Sequence, residues 1–225
     1  FSQEDEDDLV VGAGTDRILK TVKRIRKGGG LLGYPWPWEP LNEGTSGVLK
    51  GQTFYFYGRA KSRKTWMLIQ LALFYVSIGL KVLFFTREMT KEELEWRVGA
   101  MACGLDYGDL MKGRVSAQGM DYFESVMKEI FASGLFIISP KAEGFQGFKS
   151  KIEQHHPHII IHDYVKAMAD DAMGDNFRGD EHRYVARVFD LVVNYVNDKA
   201  KTPCFLCGHA NREGVKGKGK STREH

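Results

Sequence analysis

Short apolar runs alternate with segments of helical periodicity between residues 51 and 207. The runs are apolar on both faces, as strands of a covered parallel sheet are, and they predict strands at residues 54–57, 82–85, 135–138, 159–161 and 203–207. Between them, apolar positions at helical spacing predict helices at residues 65–78, 91–103, 120–133, 145–154 and 183–199. This alternation favours an α/β fold with a doubly wound, mostly parallel sheet and helices on both faces.

The first 30 residues follow a different pattern. An acidic run at residues 4–8 is typical of a solvated tail. Residues 16–27 then predict an amphipathic helix, with Thr15 as its N-cap and three glycines at 28–30 as its stop. Its apolar stripe could dock on a neighbouring subunit or fold back on its own domain. We therefore divide the chain into a tail with a linker helix, residues 1–30, and a main domain, residues 31–225.

Composition and charge narrow the possible classes of protein. The chain is 43% hydrophobic and 27% charged, which excludes wholesale disorder, and a net charge of +3 is too small to identify a polyanionic partner. The most apolar run, residues 66–80, is shorter than the ~20 residues of a bilayer span, so no membrane role is expected. Three cysteines cannot all pair and no apolar signal segment opens the chain, so we expect a cytoplasmic protein.

A candidate phosphate-binding loop lies between the first predicted strand and the following helix. Its spacing matches GxxxxGK[ST] except that Arg63 occupies the place of the second glycine. If this position needs a positive φ, a side chain there costs about 1–2 kcal/mol. In return, the arginine adds a cation beside the phosphates. Lys64 is predicted to reach the terminal phosphates and Thr65 to ligate Mg²⁺, although a basic turn without a ligand stays an alternative. The nucleotide-binding residues predicted from the loop are Gly58, Arg59, Ala60, Lys61, Ser62, Arg63, Lys64 and Thr65.

Three polar residues near strand ends could complete such a site, because ligands bind at the carboxyl ends of strands in open α/β sheets. Asp163 follows the fourth strand and could hold the metal through water. Glu88 follows the second strand and could deprotonate the attacking water, or could instead cap the next helix. His209 follows the fifth strand and could sense the γ-phosphate, or could be a turn histidine.

A basic, glycine-rich segment follows His209. Flexible cations suit a nucleic-acid backbone whose sequence is not read, so the segment is a candidate DNA-binding loop, although its residues alone favour a solvated mobile loop. Its predicted DNA contacts are Arg212, Lys216, Lys218 and Lys220. The acidic segment at residues 166–181 is by contrast a poor candidate for binding DNA.

Two further groupings invite a metal interpretation that we do not favour. Cys204 and Cys207 form a C-x-x-C, but both fall within one predicted buried strand, where residues three apart face opposite sides. Four histidines cluster around Pro157, but a strand begins inside the cluster and separates their directions. We interpret the cysteines as core residues and predict no metal at the histidines.

Together these motifs resemble the motor domain of DnaB-type replicative helicases, particularly the bacteriophage versions. The similarity is carried by GVLKG at residues 47–51, GRAKSRKT at 58–65 and FTREM at 85–89, with Arg97, Gly104, Leu110 and Gly113 at the family's spacing. It continues with IIIHDY at 159–164 and GHANR at 208–212, where His209 replaces the glutamine usual in bacterial members. It covers roughly residues 31–225.

The resemblance implies a RecA-like fold, a homo-hexameric ring, hydrolysis of ATP with Mg²⁺ at subunit boundaries, and single-stranded DNA in the central channel. It also implies a primase or helicase loader as a partner and, for a bacteriophage protein, a bacterial host cell. The family's later strands and its arginine finger would lie beyond His225. Two other functions stay open: a DNA-dependent ATPase of recombinase or plasmid-replication type that does not unwind, and a nucleotide-binding scaffold that does not hydrolyse.

Overall fold

The computed structural model describes residues 14–27, 30–59, 61–140, 144–164 and 181–209, and it divides into two compact units, Phe1–Lys50 and Gly51–His225. The predicted boundary at residue 30 is a different division of the chain and stays a prediction. Among the described residues, each helix is too short or too polar to cross a bilayer.

The first unit contains two helices, α1 (Gly14–Lys27) and α2 (Glu39–Thr45). The prediction of α1 is confirmed, but the helix begins before Thr15, which therefore lies inside it instead of capping it. Ile18, Leu19 and Val22 of its apolar stripe are exposed. The short helix α2 was not predicted. A residue that precedes it helps to stabilise it, since the Trp36 backbone N–H donates to Oδ1 of Asn42 in the helix (2.8 Å).

The second unit is built on a five-stranded parallel sheet, as predicted. Its strands are β1 (Thr53–Gly58), β2 (Val82–Thr86), β3 (Phe136–Ser139), β4 (Ile159–Asp163) and β5 (Cys204–His209), in the order β1-β5-β4-β2-β3. All four neighbouring pairs are parallel. β4 and β5 each extend two residues beyond their predicted ends, so Asp163 and His209 are the final residues of strands.

Helices connect the strands at nearly the predicted positions. They are α3 (Lys64–Ser77), α4 (Lys91–Cys103), α5 (Tyr107–Met111), α6 (Ala117–Ala132), α7 (Gly144–His155) and α8 (Glu181–Asn194), which continues as a π-helical turn (Tyr195–Ala200). α5 was not predicted, because its five residues are too few to display a periodicity. α6 begins three residues earlier than predicted because Ser116 caps it, accepting from the Gly119 N–H (3.2 Å).

Apolar layers on both faces of the sheet hold these helices in place. On one face, α3 buries Leu68, Leu71 and Tyr75, and the Tyr75 ring stacks on Phe205 of β5 at 5.8 Å. On the other, α7 and α8 pack on alternate residues of β2, β4 and β5 in one cluster, which contains Leu83, Phe85, Phe148, Ile152, Ile160, Val188, Val192 and Leu206. The sheet is thus sandwiched between two helical layers, as the sequence predicts.

One prediction about burial was wrong. β1 was expected to be covered on both faces, but Tyr55 and Tyr57 are 43% and 73% exposed. β1 is the end strand of the described sheet, with β5 as its hydrogen-bonded neighbour. Apolar character on both faces therefore does not distinguish this end strand from a central one.

Candidate nucleotide-binding site

The segment between β1 and α3 forms a tight turn, as a phosphate-binding loop requires. Arg63, immediately before α3, has φ 62° and ψ 26°, and Lys61 has φ 63°. The glycine position of the motif thus does need a positive φ, and Arg63 adopts it at a cost of about 1–2 kcal/mol. Ala60 lies outside the described residues.

Lys64 and Thr65 form the first turn of α3, at the helix end where backbone N–H groups favour an anion. The Lys64 ammonium donates to the carbonyl oxygens of Gly58 (3.3 Å) and Arg59 (3.1 Å), so its charge lies over the loop. Thr65 is buried and its hydroxyl donates to Asp163 Oδ2 (2.6 Å). This bond joins two residues 98 positions apart, both predicted to bind the metal.

Asp163 reaches the loop because β4 lies in the middle of the sheet, between β5 and β2. The register pairs it with Thr86 at the end of β2, and its carbonyl accepts from the Arg87 N–H (3.0 Å). Its side chain is buried, and its Oδ1 accepts from the thiol of Cys207 (2.6 Å). Burial raises the pKa of this carboxyl above its usual value, while the bonds from Cys207 and Thr65 oppose the rise.

Glu88 lies at the same site, two residues beyond the end of β2. It lines a pocket of about 270 Å³ together with Lys61, Ser62, Arg63, Lys64, Thr65, Trp66, Met89, Glu93 and Arg97. Its alternative role as a helix cap is wrong, because Thr90 caps α4 by accepting from the Glu93 N–H (3.1 Å). Glu88 and Lys64 therefore line the same pocket.

The cation–π contacts of Arg97, which lines this pocket together with Trp66, were not predicted from the sequence. The Arg97 guanidinium carbon lies 5.7 Å from the Trp66 ring and 5.4 Å from the Tyr107 ring, within cation–π range. Its Nη2 donates to Glu93 Oε1 (2.6 Å). The available signal was the spacing of Glu93 and Arg97 by four residues on a helix that begins just after Glu88, since such residues share one face.

Cys207 was also assigned too simple a role. Cys204 and Cys207 are both buried, and the prediction that they are core residues is confirmed. Cys204 belongs to the apolar cluster under α7 and α8, whereas Cys207 contacts Asp163. Burial raises the pKa of the Cys207 thiol far above its ordinary range, and the Asp163 charge raises it further, so the sulfur stays protonated and can donate.

Some predicted residues fall outside what the structure describes. His209 ends β5 with its backbone paired to Gly58, the first residue of the loop, but its side chain lies outside the described part. Arg212, Lys216, Lys218 and Lys220 lie there too, as do residues 166–180 of the acidic segment. Their roles stay predictions.

The four histidines around Pro157 have separate environments. His158 Nδ1 accepts from the Lys81 N–H (2.9 Å), and His162 is fully buried between Phe85 and Phe148. Among the described residues, there is no group of three or more histidines, cysteines or carboxylates that could hold a metal ion. A larger cavity, about 480 Å³, lies near these histidines, lined by residues such as Lys149, Glu153, His156 and Tyr195, and none of the predicted site residues that the structure describes lines it.

Residues 33–190, more than two thirds of the chain, match the model of the DnaB-like helicase C-terminal domain. The chain belongs to this family. The resemblance read from the motifs is thereby confirmed at the level of the DnaB-like helicases. A comparison with curated protein sequences finds no match.

Solved structures of DnaB-like proteins share the fold of this family member. The ATPase domain of G40P superposes with a TM-score of 0.74 at 16% identity, over 94% of this chain and 75% of that one. A DnaB-like replicative helicase, described with its interactions with primase, superposes with a TM-score of 0.76 at 15% identity. That match covers 94% of this chain but only 51% of the helicase, so the chain spans about half of its length. The RecA-like fold prediction is confirmed.

Proposed function

We propose that this chain is the ATP-hydrolysing motor of a replicative DNA helicase, which uses hydrolysis at subunit boundaries to translocate on single-stranded DNA. The observation that carries the proposal is the 2.6 Å contact between Asp163 and Thr65, which lines a pocket together with Lys64 and Glu88. A strand-end carboxylate, a helix N-terminal hydroxyl, a lysine and a second carboxylate are the groups that phosphoryl transfer needs, since catalysis there is mainly positioning and charge stabilisation.

Nucleotide binding would use the loop from Gly58 to Thr65. The Lys64 ammonium, which lies over the carbonyls of Gly58 and Arg59, would turn to the terminal phosphates as a charge-assisted donor. Arg63 is exposed and lines the pocket, so its guanidinium adds positive charge beside them.

Thr65, which lines the pocket, and Asp163, which is buried beside it, offer oxygen ligands that fit a magnesium ion. Mg²⁺ prefers oxygen ligands and is usually held by few protein groups plus water and phosphate, and Thr65 and Asp163 offer a hydroxyl and a carboxylate 2.6 Å apart. When bound, the ion neutralises charge that develops on the β- and γ-phosphate oxygens. Thr65 would ligate it directly, and Asp163 would hold it through a water molecule.

Turnover would depend on Glu88 and coupling on His209. The Glu88 carboxylate, on the wall of the pocket, would orient the attacking water and take its proton. His209, whose backbone pairs with Gly58, would sense the γ-phosphate and transmit its presence to the basic segment that follows.

The proposed helicase function also implies binding partners. Arg212, Lys216, Lys218 and Lys220 would contact the phosphates of single-stranded DNA without reading its sequence. The related replicative helicase was described with primase, and we propose a homo-hexamer that meets a primase or a loader. A cytoplasmic location, in a bacterial host for a bacteriophage protein, fits such a motor.

Glu88→Gln tests the proposal most specifically. The variant keeps the shape of the side chain but loses the base, so the full-length protein should bind ATP as before while phosphate release falls about 100-fold or more. The measurement is phosphate release with and without single-stranded DNA, beside an equilibrium titration with an ATP analogue.

Glu124→Gln is the matched control, because Glu124 is an exposed carboxylate on α6 that pairs with Lys128. It should leave both readouts unchanged. Turnover retained in Glu88→Gln would remove Glu88 as the base.

A non-hydrolysing scaffold is the second candidate, and the arginine in the place of the loop's second glycine favours it. Saturable ATP binding without phosphate release from the full-length wild type would select the scaffold. Phosphate release without strand displacement would select the non-unwinding ATPase.

A further inference from the structure

Both oxygens of the Asp163 carboxylate accept a hydrogen bond, one from a residue earlier in the sequence and one from a residue later in it. Thr65 donates to Oδ2 and the Cys207 thiol donates to Oδ1, each at 2.6 Å. The register of β4 with β5 pairs His162 with Leu206, which brings the next residues, Asp163 and Cys207, side by side at the carboxyl ends of the two strands. The register of the two strands therefore places the thiol beside the carboxylate.

We propose that Cys207 is a positioning residue of the metal site: its thiol holds Oδ1 so that Oδ2 faces Thr65 and the metal that accompanies the nucleotide. This inference rests on the proposed function, because it assigns a role toward the Mg²⁺ that Thr65 and Asp163 would bind. It goes beyond that function because it gives Cys207, interpreted from the sequence as a core residue, a part in the metal site.

The chemistry of a carboxylate explains why a donor at Oδ1 helps to orient it. The last torsion of an aspartate side chain is broad and two-fold, so Asp163 can rotate unless one oxygen is held. An ionised carboxylate only accepts hydrogen bonds, and a thiol is a donor, although a weak one. Cys207 is buried, so its bond does not compete with bulk water. Groups that orient a metal ligand in this way affect metal affinity strongly.

Cys204 provides an internal comparison on the same strand. It is as buried as Cys207, but it packs in the apolar cluster with Leu83 and Ile160 instead of contacting a polar site. Removing its sulfur creates a cavity without removing a donor from Asp163. Cys204→Ala therefore controls for packing.

The experiment titrates Mg²⁺ into the full-length protein with a fluorescent ATP analogue and follows the midpoint of the Mg²⁺-dependent gain in affinity. Cys207→Ala and Cys207→Val both remove the donor, and Val also fills the volume. Each should raise the Mg²⁺ midpoint about tenfold or more, while affinity measured with EDTA changes less than about twofold. Cys207→Ser, which restores a donor, should return the midpoint toward wild type, and Cys204→Ala should leave it unchanged.

The outcomes separate this inference from the function on which it rests. A wild type whose affinity for the analogue does not respond to Mg²⁺ overturns both. A normal wild-type response with an unchanged midpoint in Cys207→Ala and Cys207→Val overturns only the role of Cys207. If neither variant folds, as judged by thermal unfolding, the thiol serves the strand and not the metal site, which also overturns the proposal.

Discussion

Arg63 holds a backbone conformation that suits glycine. Its φ of 62° lies in the left-handed region, where an L-residue costs about 1–2 kcal/mol, and glycine avoids that cost but loses roughly 0.5–1 kcal/mol of chain entropy. Arg63→Gly should therefore raise the free energy of unfolding by about 1 kcal/mol, measured by urea denaturation. It should also weaken nucleotide binding, because the guanidinium is lost from the pocket.

Arg63→Ala separates these two effects. Alanine keeps the left-handed strain and lacks the guanidinium, so this variant should bind nucleotide as weakly as Arg63→Gly without its gain in stability. A glycine variant that is no more stable than the alanine variant would show that the loop is not strained.

His162 makes stability depend on pH. It is fully buried, and burial, with a smaller contribution from the Arg87 charge, lowers the pKa of its imidazole to about 3. An unfolded histidine titrates near 6.5, so below that pH the unfolded chain binds a proton that the folded chain does not. Stability from this residue is thus present above about pH 6.5 and is lost as the pH falls toward 3, by roughly 1 kcal/mol per pH unit.

His162→Leu should flatten this dependence. We expect the difference in free energy of unfolding between wild type and variant to shift in favour of the variant as the pH falls from 7 to 4, measured by urea denaturation at each pH. Parallel pH profiles for the two proteins would contradict the burial of a neutral imidazole.

At the scale of elements, α4 and α6 approach closely at Gly99. A Cβ atom placed on Gly99 would lie 2.3 Å from Phe123 Cε2 and 2.7 Å from Met127 Sδ. Helix propensity alone predicts that Gly99→Ala stabilises by up to about 1 kcal/mol, whereas overpacking typically costs about 1–3 kcal/mol. We expect the clash to win and the variant to lose stability in thermal unfolding.

Gly44→Ala measures the propensity effect alone, because a Cβ atom on Gly44 in α2 would have open space around it. It should leave stability equal or slightly raised. If Gly99→Ala behaved in the same way, α4 and α6 would not pack tightly.

The elements could be predicted where periodicity was long enough to be read. All five strands and the long helices were predicted from sequence, because buried strands and amphipathic helices leave distinct patterns. α2 and α5 were missed because seven and five residues are too few for a pattern, and their ends depend on contacts such as that of Trp36 with Asn42. The exposure of Tyr55 and Tyr57 was not predicted, because the sequence of one strand does not show whether that strand lies at the end of the sheet.

At the scale of the whole molecule, the sequence predicted the part of the site that follows from the order of strands and helices along the chain. Lys64, Thr65, Glu88 and Asp163 lie close together, as expected where the carboxyl ends of parallel strands meet at one edge, and the roles assigned to them stay predictions. The contacts of Arg97 and Cys207 were not predicted, because they depend on helix packing and on strand register. A thiol three residues from another thiol gives no sign that it contacts an aspartate from a different strand.

If the crevice at the head of α3 binds a magnesium–triphosphate, as we propose, binding should require the charge of Lys64. An equilibrium titration with a fluorescent ATP analogue and Mg²⁺ should give saturable binding to wild type. Lys64→Ala should lose about 100-fold or more in affinity, because a charge-assisted contact with the terminal phosphates is removed.

Lys128→Ala is the matched control, since Lys128 is an exposed lysine on α6 whose partner is Glu124. It should bind as wild type does. Equal affinities in wild type, Lys64→Ala and Lys128→Ala would show that this crevice does not bind the triphosphate.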